Sequence, residues 1–306
     1  MSEEKKTEQK RRVPGEEIGL ESLPLTTYWA DVRYRFMKNK IAVLGLIILT
    51  IIIVLCVFAP FFTKYDPEMD MDLMNILVRP FSPDHPLGTD DLGRDIWSRL
   101  LYGGRMSAMI GLCVTLFSAA VGIVIGLVSG YYGGWIDSLL MRFTDIMLSF
   151  PFLIIAIAIM AALGSSQSNV ILALAIVSWP RFARLTRGQV LAIKSTEYVE
   201  SARVAGFSNA RIIFNHVFPN CIGPLIIQAT LSTGSAILSA SGLSYLGLGC
   251  DAAAPDWGVM LNQGRNYLQQ ASYLTTIPGI AISLTVLSMN WIGDGLRDAF
   301  DPKMRK

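Results

Sequence analysis

The stretch ESARVAGFSNARIIFNHVFP, Glu200 to Pro219, is polar and basic and lies between long apolar segments. It reads as two short helices joined at one glycine. Ser195 or Thr196 can cap the first, and Glu197 and Glu200 fall in its opening turns, where acids suit the helix dipole. Gly206 follows Ala205 as a stop. Ser208 can cap a second helix, Asn209 to Phe218. Pro219 is expected to end it, because the residue before a proline resists the helical conformation. Small residues at Ser201, Ala202 and Ala205 would let another protein's surface approach the first helix closely.

The flanks of this stretch are apolar. Of the 306 residues, 52% are hydrophobic and 16% charged, with a mean hydropathy of +0.45. Soluble domains carry about 25% charged residues, so the composition predicts an all-α polytopic membrane protein. A bilayer core about 30 Å thick needs about 20 apolar residues per helix. Six segments approach that length: 41–62, 107–130, 138–163, 169–187, 220–247 and 271–293. The fourth is cut short by Pro180, Arg181 and Arg184. The predicted division is a polar tail over 1–40, a first span over 41–62 and an external loop over 63–106. A five-helix core over 107–296 and a charged tail over 297–306 complete it.

With the N-terminal tail inside, twenty Lys and Arg face the cytoplasm, while six (Lys64, Arg79, Arg94, Arg99, Arg105 and Arg265) lie outside. That asymmetry predicts both termini in the cytoplasm. The net charge of +2 says nothing about partners. The apolar run beginning at Ile41 is too long and too far in for a cleaved signal peptide. The first dozen residues, MSEEKKTEQKRR, have the composition of a disordered tail. Tyr28 to Lys40 reads either as an elbow helix along the membrane surface or as a plain cationic flank.

Chemistry is sparse. Cysteines 56, 113, 221 and 250 show no paired spacing, so neither a metal nor a structural disulfide is expected. His85, Asp90, Asp91 and Asp95 form the one acidic cluster worth testing. A single histidine with aspartates at mixed spacing is poor metal-ligand geometry, and caps and ion pairs that lock the loop explain it better. Arg142 and Asp145, three apart on the third segment, can neutralise each other near the interface. Pro151 is expected to kink that helix in its middle. No glycine-rich loop leads to a Lys-Ser or Lys-Thr pair, so the chain does not itself hydrolyse ATP. No catalytic constellation can be assembled, and no nucleic-acid partner is expected.

Two helix faces stand out. Ser118, Gly122, Gly126 and Gly130 recur every four residues and predict a close helix-packing face. Ser232, Ser235, Ser239 and Gly242 share one face of the fifth segment, with Thr230, Thr233 and Ser241 nearby. In hydrocarbon such a face is costly unless it lines a water-filled path or packs on another helix. The path wall is the favoured reading, because neutral hydroxyls hold polar cargo loosely and release it. In the loop DAAAPDWGVMLNQGRNYL, Asp256, Trp257 and Arg265, with Tyr267, form a candidate docking surface. An interfacial aromatic belt would account for Trp257 and Tyr267 almost as well.

The stretch at 200–219 resembles the "EAA" loop of ABC-importer permeases at Glu200, Ala202, Gly206 and Pro219. It departs at Ser201, where alanine is usual, and at His216 and Phe218, where aliphatic residues are usual. The runs HPLGTDDLGRD, YGGR, YYGGWID, MRFTDIMLSFP and GDGLRD resemble the dipeptide, oligopeptide and nickel permeases, in their second, C-type subunit. The resemblance covers about residues 38–306 and implies a type I importer permease fold with cytoplasmic coupling helices. By that resemblance, Glu200, Ser201, Ala202, Gly206, Ser208 and Pro219 would dock on an ATPase subunit. The partners implied are a homologous permease, two ATP-binding cassette ATPases that hold ATP and Mg²⁺, an extracytoplasmic solute-binding protein and a bacterial inner membrane. The function implied is half of a translocation path for di- and oligopeptides, with nickel import or peptide export as alternatives within the family. A stand-alone channel or secondary carrier is the rival class, and it leaves the capped 195–219 unit unexplained.

Overall fold

A computed structural model describes residues 28–301. The disordered-tail reading of the first dozen residues, and half of the charged tail (302–306), lie outside those residues. Apart from an isolated bridge between Thr89 and Asp95, regular structure among the described residues is helical.

Helix α1 (Tyr28–Lys38) leads through Asn39 into α2 (Lys40–Val57) and the short α3 (Ala59–Phe62). Asn39 caps α2 by accepting from the backbone N–H groups of Ile41 and Ala42, and its Nδ2 donates to Asp298 at 3.1 Å. The start of α2 is thereby tied to the end of the last helix. As the all-round Ile, Leu and Val composition implies, α2 buries few side chains, among them Ala42, Gly45 and Cys56. A Cβ on Gly45 would come within 3.0 Å of Ser288, so the two backbones meet there.

Helix α4 (Ile96–Tyr132) is 37 residues long and begins eleven residues before the expected boundary at 107. Asp95 starts it, its carboxylate accepting from Ser98 N–H at 2.7 Å. Helices α5 (Gly134–Ser149) and α6 (Phe152–Leu163) meet at 86°, so Pro151 breaks the third segment rather than kinking it. Proline can open a helix but cannot donate within it, and Phe150 ahead of it is extended. Helix α7 (Gln167–Ile193) carries Pro180 without stopping. The small helices α8 (Glu197–Val204) and α9 (Asn209–Ile212) follow, then α10 (Phe218–Tyr245), α11 (Trp257–Gly264) and α12 (Tyr273–Phe300).

Among the described residues, four helices are long and apolar enough to cross a bilayer, and five if α5 and α6 count as one bent span. Helix α7 is long enough at 27 residues, but its arginines keep it out of that count. It is sheathed by α4: a Cβ on Gly122 would stand 2.5 Å from the carbonyl of Trp179, and one on Gly126 would stand 2.6 Å from that of Ala183. The small-residue stripe is therefore the seam between these two helices, completed where Ser118 Oγ donates to the carbonyl of Ala175.

Among the described residues the core falls into three apolar clusters. One, with Leu127, Val190, Val199, Ile212 and Val217, lies under α8 and α9. A middle cluster joins Ile110, Met160, Leu174 and Leu243. The third, at the opposite end, gathers Ile96, Trp257, Met260 and Leu274.

Candidate functional site

The 195–219 stretch forms the end of the bundle nearest α1 and the C-terminus of α12. Thr196 precedes α8, and Gly206 ends it with φ +78°. Gly206 N–H donates to the Arg203 carbonyl at 3.0 Å, and Phe207 N–H donates to that of Ala202 at 3.2 Å. These two bonds are the Schellman stop that a left-handed glycine permits. Ser208 caps α9, its Oγ accepting from Arg211 N–H.

Pro219 does not end the second helix. Ile213 to Val217 form a π turn, in which Phe218 N–H donates to the Ile213 carbonyl, and Pro219 falls in the first turn of α10. The wide turn resets the hydrogen-bond register, so the missing proline N–H falls where no partner is needed. Asn209 to Tyr245 therefore run as one 37-residue span. The second half of the candidate loop is the end of a long membrane helix.

The small residues separate into two roles. Ala202 is buried against the cluster beneath, together with Val199 and Ile212, and offers no surface to a partner. Glu200, Ser201, Gly206, Ser208 and Pro219 are exposed. Beside them Val204 is 90% exposed and Phe214 64%, an apolar pair that the polarity of the stretch hid from the sequence reading. Their signal is visible afterwards: apolar residues in a capped, charged segment with no inward face left to fill. A Cβ on Gly206 would meet nothing within 4 Å, so its requirement is the backbone angle alone. Arg211 lies over the Phe207 ring at 4.2 Å, and Phe207 stacks on His216, which stiffens the turn between α8 and α9.

Behind this surface, α7 is pinned by paired arginines. Arg187 grips Asp137 of α5, and Arg184 Nη2 donates to Asp145 at 2.6 Å. Asp145 thus pairs across to α7 rather than with Arg142 on its own helix, because α5 lies beside α7 and the longer reach places the guanidinium on the carboxylate. Lys194 Nζ donates to the Gly130 carbonyl at 2.7 Å.

In α10, Ser235 is exposed and Ser232, Ser239 and Gly242 are half-buried. Ser232, Ser235 and Ser239 line a narrow polar crevice shared with α4, α6 and α7. The neighbouring hydroxyls are packed instead: Thr233 donates to Thr115 at 3.2 Å, and Ser241 is buried.

The opposite end is a locked cap. Asp90 accepts from the backbone of Leu92 and Arg94 and from Arg94 Nε at 2.8 Å. His85 Nδ1 and Asp95 Oδ1 are 2.9 Å apart. The buried guanidinium of Arg99 donates to the carbonyls of Pro67 and Ala254. Asp256 and Trp257 belong to this cap as well. Asp256 is 1% exposed and caps α11 through Gly258 and Val259 N–H, while Trp257 is 2% exposed and donates to the Leu100 carbonyl. Neither can meet a docking protein: tight approach at Gly103 and Gly104 encloses Trp257, and Asp256 is turned inward, accepting from Ser107 Oγ at 3.2 Å. Arg265 alone of the three is exposed, over the ring of Tyr245. Burial pushes the Asp256 carboxyl above its ordinary 3.8, and the hydrogen bonds from Ser244, Val259, Ser107 and Gly258 only partly offset it.

Comparison with known proteins agrees with this architecture. Residues 122–306 match the family of binding-protein-dependent transport system inner membrane components. Residues 27–80 match the N-terminal TM domain of oligopeptide transport permease C. The dipeptide transport system permease protein DppC of Alkalihalophilus pseudofirmus is 46% identical over 90% of either chain. Its namesake in Haemophilus influenzae is 41% identical over 92% of this chain and 96% of that one. The glutathione transport system permease protein GsiD of an Escherichia coli strain is 40% identical over 94% and 97%. A chain of the MetNI methionine ABC transporter, solved in inward-facing conformations, superposes with TM-score 0.56 at 17% identity. That superposition covers 66% of this chain and 97% of the other, and it places the fold with the type I importer permeases. With family models on both halves and relatives above 40% identity along nearly its whole length, the chain belongs to the binding-protein-dependent transport system inner membrane components, as an ABC-importer permease.

Proposed function

We propose that this chain is one of two permease subunits of an ATP-driven peptide importer, and that it carries cargo between α10 and its partner while coupling to an ATPase through residues 195–219. Relatives named for dipeptide, di/tripeptide and glutathione transport favour short peptides over nickel. The observation that carries the coupling role is the continuity of Asn209 to Tyr245, which puts the exposed surface of α9 and the serine face of α10 on one rod. A push on α9 reaches the path without passing through a flexible joint. Val199 and Ala202 of α8 share one apolar cluster with Ile212, Ile213 and Val217, which holds α8 against the same rod.

In this reading the α8–α9 end faces the cytoplasm, as do both termini, and the cap around Arg99 and Trp257 faces outward. A homologous permease supplies the other wall of the path, two ATPase subunits bind ATP and Mg²⁺, and a solute-binding protein delivers peptide at the outer cap. Of the residues first considered for that contact, Arg265 remains, and exposed Met74 and Phe81 of the outer loop extend the surface. Closure of the ATPases on nucleotide moves α8 and α9 together, the helices repack, and the path opens outward. Hydrolysis reverses it. The chain contributes the contacts that differ between the two states, which coupling requires.

The test is purification of the whole assembly in detergent, wild type against Gly206→Glu. A side chain at φ +78° strains the stop by about 1 kcal/mol or more, and its charge sits on the proposed docking face. The expected result is loss of bound ATPase and of peptide uptake with the partner permease still attached. ATPases retained with wild-type transport would refute the coupling assignment.

A further inference from the structure

Helix α7 carries three arginines at intervals of three, and two are neutralised: Arg184 by Asp145 and Arg187 by Asp137. Arg181 is different. Among the described residues no carboxylate pairs with it and no hydrogen bond holds its guanidinium. It lies fourteen residues into α7, about 20 Å from the helix start at 1.5 Å per residue, at the level of the middle of α10. An unpaired charge at such depth is expensive and points to function. Its side chain is exposed on the surface of this chain, and its guanidinium lies over the Phe152 ring at 5.6 Å, where α6 turns away after the break at Pro151. It lines the same polar crevice as Ser178, Ser232, Ser235 and Ser239.

We infer that Arg181 is the carboxylate-binding residue of the translocation path, seating the C-terminal carboxylate of a peptide in transit. This rests on the permease reading above. The chemistry is complementary. A guanidinium fork matches a carboxylate with two parallel donors. The serine face offers the opposite polarity: Ser235 Oγ donates to the Leu231 carbonyl and Ser239 Oγ to that of Ser235. Their protons are spent on the helix, and their oxygen lone pairs are left to accept from cargo ammonium or amide N–H groups. A zwitterionic peptide thus finds a donor at one end and acceptors at the other. In the present state the crevice has about 60 Å³ for water, room for about two molecules, so the site is closed to a dipeptide and must open as α7 and α10 separate.

The test uses the complete transporter in proteoliposomes with its binding protein. Wild type, Arg181→Gln and Arg181→Lys are compared for peptide transported per ATP hydrolysed. The expected result for Arg181→Gln is an intact complex, binding-protein-stimulated hydrolysis within twofold of wild type and at least a tenfold fall in peptide per ATP. Arg181→Lys should recover half or more. A carboxamide-terminated peptide that the binding protein still delivers should pass wild type and Arg181→Gln alike. A wild-type ratio in Arg181→Gln, equal losses for both peptides, or dissociation of the subunits would overturn the inference and leave the permease reading standing. Absence of ATP-dependent uptake in wild type would instead overturn the permease reading.

Discussion

Arg187 grips Asp137 with two parallel bonds, Nε and Nη2 each donating to one carboxylate oxygen at 2.6 Å. The pair joins α5 to α7, and Ser129 of α4 donates to the same carboxylate, so three helices meet at one charge. Truncating the carboxylate in Asp137→Ala strands a half-buried guanidinium. Because both partners keep some contact with water, the cost should be about 1.5 kcal/mol rather than the larger penalty of a fully buried pair. A double-mutant cycle with Arg187→Ala, read by thermal denaturation of the detergent-solubilised complex, should show the second substitution nearly silent once the first is made. Additive losses would mean that the two side chains act separately.

The seam between α4 and α7 makes a sharper contrast. Gly122→Ala places a methyl group 2.5 Å from both Phe182 Cβ and the Trp179 carbonyl, and neither the backbone atom nor a side-chain root can swing aside. The helices must separate, at a cost of about 1–3 kcal/mol. Gly188→Ala, on the same helix pair, meets nothing within 4 Å and removes a helix-weakening residue, so it should stabilise by up to about 1 kcal/mol. Midpoints of thermal unfolding that move in opposite directions are the expected outcome. A matched response would show that the seam is looser than this packing.

Asp256 makes the cap around Arg99 and Trp257 sensitive to pH. Its folded-state carboxyl is held above the ordinary 3.8 by burial, so the native state binds the proton more tightly than the unfolded chain. The stabilisation is present in full below the ordinary carboxylate value and is lost as pH rises through the raised one. Asp256→Asn keeps an oxygen to cap Gly258 and Val259 and removes the buried charge, so it should flatten this dependence with little cost near neutrality. Asp256→Ala loses the cap and should cost about 1–2 kcal/mol. Denaturation midpoints across acid to neutral pH decide it, and a profile unchanged in Asp256→Asn would show that another group titrates.

The parts of this molecule legible in its sequence are those governed by local rules. The Ser208 cap, the left-handed stop at Gly206 and the four-residue repeat of Gly122, Gly126 and Gly130 depend on near neighbours, and each stands where the pattern put it. What the pattern missed depends on contacts far along the chain. Pro219 looked like a terminator because proline rules are local, whereas a π turn five residues long resets the register before it. Asp256 and Trp257 looked like surface residues because polar and aromatic loop residues usually are. Their burial follows from α4, some 150 positions earlier, where Gly103 and Gly104 admit Trp257 and Ser107 donates to Asp256. Asp145 chose Arg184 over Arg142 for the same reason: adjacency in sequence gave one partner, and helix packing gave the other.

Val204 offers the cleanest separation of folding from coupling. It is the last residue of α8 and 90% exposed, so its side chain contributes almost nothing to the stability of this chain. A large apolar side chain held out on the same helix face as Glu200 and Ser201 is what a desolvated contact with another protein needs. Val204→Glu should therefore leave the unfolding free energy of the permease within about 0.5 kcal/mol of wild type, while ATPase retention on affinity purification falls tenfold or more. Val204→Ala, which only shortens the contact, should give an intermediate loss. Gly206→Asn, which tolerates the left-handed angle and adds no charge, should keep the ATPases bound. If Val204→Glu copurifies with a full complement of ATPase and transports normally, the docking face lies elsewhere on the α8–α9 surface, and the rod from Asn209 to Tyr245 would have to be driven from another point.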